Sequence, residues 1–152
     1  MKKLFRLTKE GVDTLQTELD GLIAKRATIA ESIKSARELG DLSENAEYQS
    51  ARAEQERNES RISEIEGILA NVEIIKKPRG SKVQLGSRVK LKSGGGKAKE
   101  FQVVGTVEAD PLSGKISDES PIGQALIYQK VGDKVEIKTP VETATYKIVS
   151  IS

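Results

Sequence analysis

Cysteine, histidine and tryptophan are all missing from this 152-residue chain, and aromatic residues make up only 3% of it. Without cysteine there are no disulfides and no thiolate metal sites; without histidine there is no imidazole base and no imidazole metal ligand. Long apolar runs are missing too. None approaches the roughly 20 residues of a membrane span, and no signal-peptide core follows Met1, which points to a cytoplasmic protein.

What remains is charge. Charged residues make up 32% of the chain and hydrophobic ones 36%, a balance suited to a thin, solvent-laced coiled coil rather than a thick core. Residues 1–78 hold 13 basic and 15 acidic side chains (net −2), and residues 79–152 hold 12 and 8 (net +4). Neither half is extreme enough to imply nucleic-acid binding from bulk charge alone.

In the first half, apolar or small residues recur at Val12, Leu15, Leu19, Leu22, Ile29, Ile33 and Ala36, and again at Tyr48, Ala51, Ile62, Ile65, Leu69 and Val72. Both series keep the three-four spacing of a coiled-coil seam. They also mirror each other: positions 12 and 72, 15 and 69, 19 and 65, 22 and 62, 33 and 51, and 36 and 48 all add to 84. Folding the chain back on itself near position 42 produces that constant, so the expectation is an antiparallel helical hairpin. Thr8 is placed as the N-cap of a first helix over Lys9–Leu39, and Gly40 is placed where a left-handed residue ends it. A second helix is expected from about Leu42 to Val72 or Ile74, with Arg26 facing Asn58 and Gln55 facing Ile29 as polar seam pairs that fix register.

Residues 76–82 read as a linker. Beyond it the period becomes alternating, with strands expected at Ser87–Leu91, Glu100–Val107, Lys134–Lys138 and Thr145–Ile151. Ser120 caps a short helix that opens on Pro121. The fold class is therefore α+β, with a coiled-coil hairpin over 1–75 followed by a small, mostly antiparallel β domain over 83–152 that carries one short helix.

The tip of the hairpin, Glu38 to Glu47, holds four carboxylates and no lysine or arginine. Asp41 and Glu44 stand three apart and converge on a helical start. Two hard oxygen ligands there suit a Mg²⁺ shared with another macromolecule, or the positioning of a water. The same spacing has the form of a capping box, which needs no ligand. Lys34, Arg37 and Arg52 flank the tip, either as a phosphate-holding patch or as solvated helix surface. Ser93-Gly94-Gly95-Gly96-Lys97 reads as a hairpin turn rather than a phosphate loop. No arrangement supplies a self-contained catalytic site.

Ala36-Arg37-Glu38-Leu39-Gly40-Asp41-Leu42-Ser43-Glu44-Asn45-Ala46-Glu47-Tyr48, together with Ile116-Ser117, Ser120-Pro121-Ile122-Gly123 and Ala125-Leu126, resembles the bacterial Gre transcript cleavage factors over essentially the whole chain. The resemblance implies a monomeric accessory factor whose β domain is FKBP-like and docks on the rim of RNA polymerase through the Ser120, Pro121, Ile122 and Gly123 region. It implies a rod that enters the polymerase secondary channel and reaches the extruded RNA 3′ end. Asp41 and Glu44 would share Mg²⁺ with the polymerase and direct water, with Ser43 as a helper and Arg37, Arg52 and Lys34 near the RNA. The Asp-Leu-Ser-Glu order favours the cleavage-stimulating branch over non-cleaving paralogues with more acidic tips. Two other readings compete, a working prolyl isomerase and a coiled-coil adaptor with no part in chemistry. The first is disfavoured because residues 79–152 contain only Phe101, Tyr128 and Tyr146 as aromatics.

Overall fold

The computed structural model describes residues 4–41, 45–76, 78, 80–94, 96, 98–138 and 143–152, with Lys138 by its backbone alone. The chain divides into two compact units, Val12–Asn71 and the described residues up to Gly11 together with Val72–Ser152. That division differs from the expected 1–75 and 83–152. The N-terminal strand belongs with the β unit, because β1 (Phe5–Leu7) pairs in parallel with β2 (Val72–Ile74). Leu7 is fully buried there.

The first unit is the antiparallel hairpin of α1 (Lys9–Arg37) and α2 (Ala46–Ala70). One cluster packs Leu19 against Ile62 and Ile65, with Leu15, Leu22 and Leu69 around it. A second packs Ile29 and Ile33 against Ala51 and Tyr48. These are the contacts that the mirrored spacing predicts. Ile68 is buried in addition to the expected residues, and Val72 leaves the seam for β2. The helix stops short of Val72 because β-branched Val72 and Ile74 find a strand partner in β1, and that tertiary pairing overrides a helical continuation.

The polar seam pairs differ from expectation. Asn58 is buried, and its Nδ2 donates to the Leu22 carbonyl at 3.0 Å rather than meeting Arg26. Arg26 has turned outward and grips Glu59 through two hydrogen bonds of 2.8 and 2.9 Å. A carboxylate within one residue of the expected position offers a fork-shaped guanidinium a better partner than an amide does. Arg61 grips Glu18 in the same bidentate way at 3.0 and 2.8 Å.

The second unit holds a five-stranded sheet in the order β5-β4-β3-β7-β6, formed by β3 (Arg88–Lys92), β4 (Lys99–Val104), β5 (Lys115–Ser117), β6 (Lys134–Lys138) and β7 (Thr143–Ile151). All neighbours are antiparallel except β4 and β5. Val89, Leu91, Val103, Ile116, Val135, Ile137 and Ile148 form one core with Leu126 of the short helix α3 (Pro121–Leu126). Gly105 lets β1 approach, since a Cβ there would lie 2.4 Å from the Arg6 carbonyl oxygen. Among the described residues no helix is long and apolar enough to cross a membrane.

Within the second unit, Glu108 holds the start of α1. Its side chain is only 5% exposed. It accepts from the Thr8 amide at 2.9 Å and from the Thr8 hydroxyl at 2.5 Å, while Thr8 Oγ1 accepts from the Gly11 amide at 3.0 Å. Thr8 is thus the N-cap that the sequence predicts, and Glu108 secures the cap itself. Glu108→Ala leaves those donors without their charged acceptor and should cost this unit roughly 1.5–3 kcal/mol in denaturant melts. For the hairpin, the Arg26 hydrogen bonds hold the Glu59 carboxyl below its ordinary value of 4.5. A depressed carboxyl contributes stability above its unfolded value and loses it as pH falls through the folded one. The stability difference between wild type and Glu59→Gln, which is small because the pair is half exposed, should therefore narrow as melts are taken below about pH 4.5.

Candidate functional site at the hairpin tip

The tip is closed by a single side chain. Asn45 is the N-cap of α2: its side-chain oxygen accepts from the Tyr48 amide at 3.1 Å. Its Nδ2 donates to the Ala36 carbonyl at 2.7 Å, in the last turn of α1. One amide group thus satisfies an orphan donor of one helix and an acceptor at the end of the other. Gly40 takes φ +126°, a left-handed backbone that favours glycine, as the sequence predicts.

Asn45 corrects the capping-box reading of Asp41 and Glu44. Because α2 begins at Ala46, Asp41 lies four residues before its cap and does not cap it. Asp41 is exposed on the turn. Ser43 and Glu44 lie outside the described residues. Among the described residues no three carboxylates gather as a metal cage.

Lys34, Arg37 and Arg52 do come together. With Ile33, Glu38 and Gln55 they line a cleft of about 370 Å³ on the hairpin just below the tip. Arg52 Nη1 donates to Gln55 Oε1 at 2.8 Å, and the Arg37 guanidinium lies 5.9 Å above the Tyr48 ring. Tyr48 packs on Ile29, Ile33 and Ala51, as its seam position predicts. Lys34 and Arg37 stand in the last turn of α1, where the helix dipole favours cations anyway. Arg52 lacks that support, being on α2 near its positive N-terminal end. The dipole thus accounts for two of the three cations and not for Arg52.

The four docking candidates divide. Ser120 caps α3, accepting from the Gly123 amide at 3.1 Å and donating to the Ser117 carbonyl at 2.6 Å. Gly123 is buried, and a Cβ on it would lie 2.0 Å from the Ser117 carbonyl oxygen. These two residues shape the helix. Pro121 is exposed and Ile122 half-buried, so they remain available to a partner.

Two family models cover this chain: the N-terminal domain of transcription elongation factors over residues 5–74, and the GreA/GreB C-terminal domain over residues 77–152. The chain belongs to the GreA/GreB family of transcription elongation factors. It is 46% identical to transcription elongation factor GreA of Lactococcus lactis subsp. cremoris, covering 99% of both chains. It is 47% identical to GreA of Thermosipho melanesiensis, covering 99% of this chain and 97% of that one. Among solved structures, the GreA factor homolog 1 of Thermus thermophilus matches 99% of each chain at 31% identity, with a TM-score of 0.46.

Sequence reasoning missed Asn45 as the clasp, although asparagine directly before an alanine-led helix is itself an N-cap signal. Asn45→Ala should lower hairpin stability by about 0.5–2 kcal/mol. Asn45→Asp should recover part of that, because it keeps the acceptor toward Tyr48 while losing the donor toward Ala36. Thermal unfolding followed by circular dichroism separates the two variants.

Proposed function

We propose that this chain rescues RNA polymerase stalled with an extruded RNA 3′ end, by completing the polymerase's own cleavage site rather than by supplying one. The observation that carries the reading is the tip, where an exposed carboxylate, Asp41, closely follows the end of α1, whose Lys34 and Arg37 line a cleft together with Arg52 of α2. A helix of 29 residues is roughly 44 Å long. Such a rod reaches the bottom of a channel too narrow for a globular domain, which fits entry through the polymerase secondary channel.

Asp41 and Glu44 supply hard carboxylate oxygens, the donor type that Mg²⁺ prefers, and two such ligands are too few to hold the ion without a partner's oxygens. When bound, Mg²⁺ supplies Lewis-acid polarisation of a phosphoryl oxygen and a more acidic water. Within that site Asp41 and Glu44 orient the attacking water, and Ser43 offers a further hydroxyl. Lys34, Arg37 and Arg52 neutralise RNA phosphates in the cleft and set the distance between the RNA strand and the acids. Pro121 and Ile122 contribute to docking on the polymerase rim, on a surface shaped by Ser120 and Gly123.

Asp41→Asn and Glu44→Gln should each abolish stimulated RNA cleavage in backtracked elongation complexes while leaving polymerase binding intact. Normal cleavage by both variants would remove the acids from the mechanism. Arg52→Gln should weaken the stimulation without abolishing it, with the loss largest at low salt and shrinking as salt screens the contact that wild type retains.

A further inference from the structure

The outward face of the five-stranded sheet carries a row of like charges. Lys92 of β3 pairs in register with Lys147 of β7, and Lys147 pairs in register with Lys134 of β6. Directly opposed residues on antiparallel strands point to the same side. All three lysines are exposed. Two strand spacings put them within roughly 10 Å of one another along the row. Arg88 and Lys90 extend the positive surface along β3. The acids on this face are Glu100, which opposes Lys90, and Glu136, which opposes Thr145. No carboxylate among the described residues forms an ion pair with any of the three lysines.

Like charges placed directly opposite each other destabilise a sheet. Lysines often guard edge strands against aggregation, but β3 and β7 are interior strands of this sheet. Edge protection therefore accounts for Lys134 and leaves Lys92 and Lys147 unexplained. A polyanion spanning the row converts the repulsion into attraction. The aromatics Phe101 and Tyr146 pack against the core on the opposite face. The lysine face thus offers no ring on which an unpaired base could stack. Lysine heads without a fork geometry suit sequence-independent contact with phosphates.

We propose that this sheet face is a docking site for the phosphate backbone of duplex DNA, gripped by Lys92, Lys147 and Lys134. The site is separate from the tip and does not depend on the cleavage role. The test is fluorescence anisotropy of the full chain with a short mixed-sequence duplex, titrated from about 50 to about 200 mM salt. Three proteins are compared: wild type, the triple variant Lys92→Gln/Lys134→Gln/Lys147→Gln, and the hairpin control Lys34→Gln/Arg37→Gln/Arg52→Gln. The sheet variant should bind at least about tenfold more weakly at the low-salt end, and its slope of log affinity against log salt should shrink by roughly 2–3. Its melting temperature should equal or exceed that of wild type, because repulsion has been relieved, so lost binding is not lost folding. The hairpin control should retain most of the affinity. Unchanged affinity and slope in the sheet variant would overturn the proposal, as would tighter wild-type binding to single-stranded RNA or poly-glutamate than to the duplex.

Discussion

The N-terminal unit depends on a seam a few side chains wide. Leu19, Ile29, Ile33 and Ala36 on one helix and Ala51, Ile62, Ile65 and Ile68 on the other are its buried apolar residues. Each helix is stable because the other covers its apolar stripe, since helical propensity alone leaves such segments marginal in water. Apolar contact, however, has no direction. Register must come from polar groups, and the hairpin distributes them along its length: Glu18 with Arg61, Asn58 with the Leu22 carbonyl, Arg26 with Glu59, and Asn45 with the Ala36 carbonyl. The tip is placed on the hairpin only as accurately as that ladder holds its register.

Charge on the hairpin is arranged around this demand. Along the shafts Arg26 meets Glu59 and Arg61 meets Glu18 across the seam, whereas near the apex Lys34, Arg37 and Arg52 gather in one cleft with Glu38 as its one acid. Segregated charge is unfavourable for the isolated protein and is relieved only when opposite charge binds. A similar contrast separates the two faces of the β unit's sheet, one packed on the apolar core and the other carrying the row of Lys92, Lys147 and Lys134.

The mirrored spacing made the hairpin legible, because a seam buried on one side leaves a period of three and four in the sequence. The strand β6 and the capped helix α3 were legible for similar reasons, through alternation and through Ser120-Pro121. The three-residue strands β1, β2 and β5 were not, since segments so short carry no period and form only because a distant partner is present. At the tip, Lys34, Arg37 and Arg52 could be grouped from helical spacing, but Asn45 could not be assigned to both helices at once. Its second hydrogen bond reaches a backbone carbonyl, and a carbonyl leaves no mark in the sequence. Glu108 was silent because its hydrogen-bond partner Thr8 lies 100 positions away.

The parallel pairing of β1 with β2 also orders the assembly of the molecule. The two strands lie on either side of the whole hairpin in sequence, so joining them in an open chain would close a long loop at high entropic cost. Zipping α1 against α2 brings those ends together through contacts that are local at the turn and then extend one helical turn at a time. The hairpin therefore acts as a template for this one strand pair, whereas the five-stranded sheet, formed wholly by residues after the hairpin, needs no such closure.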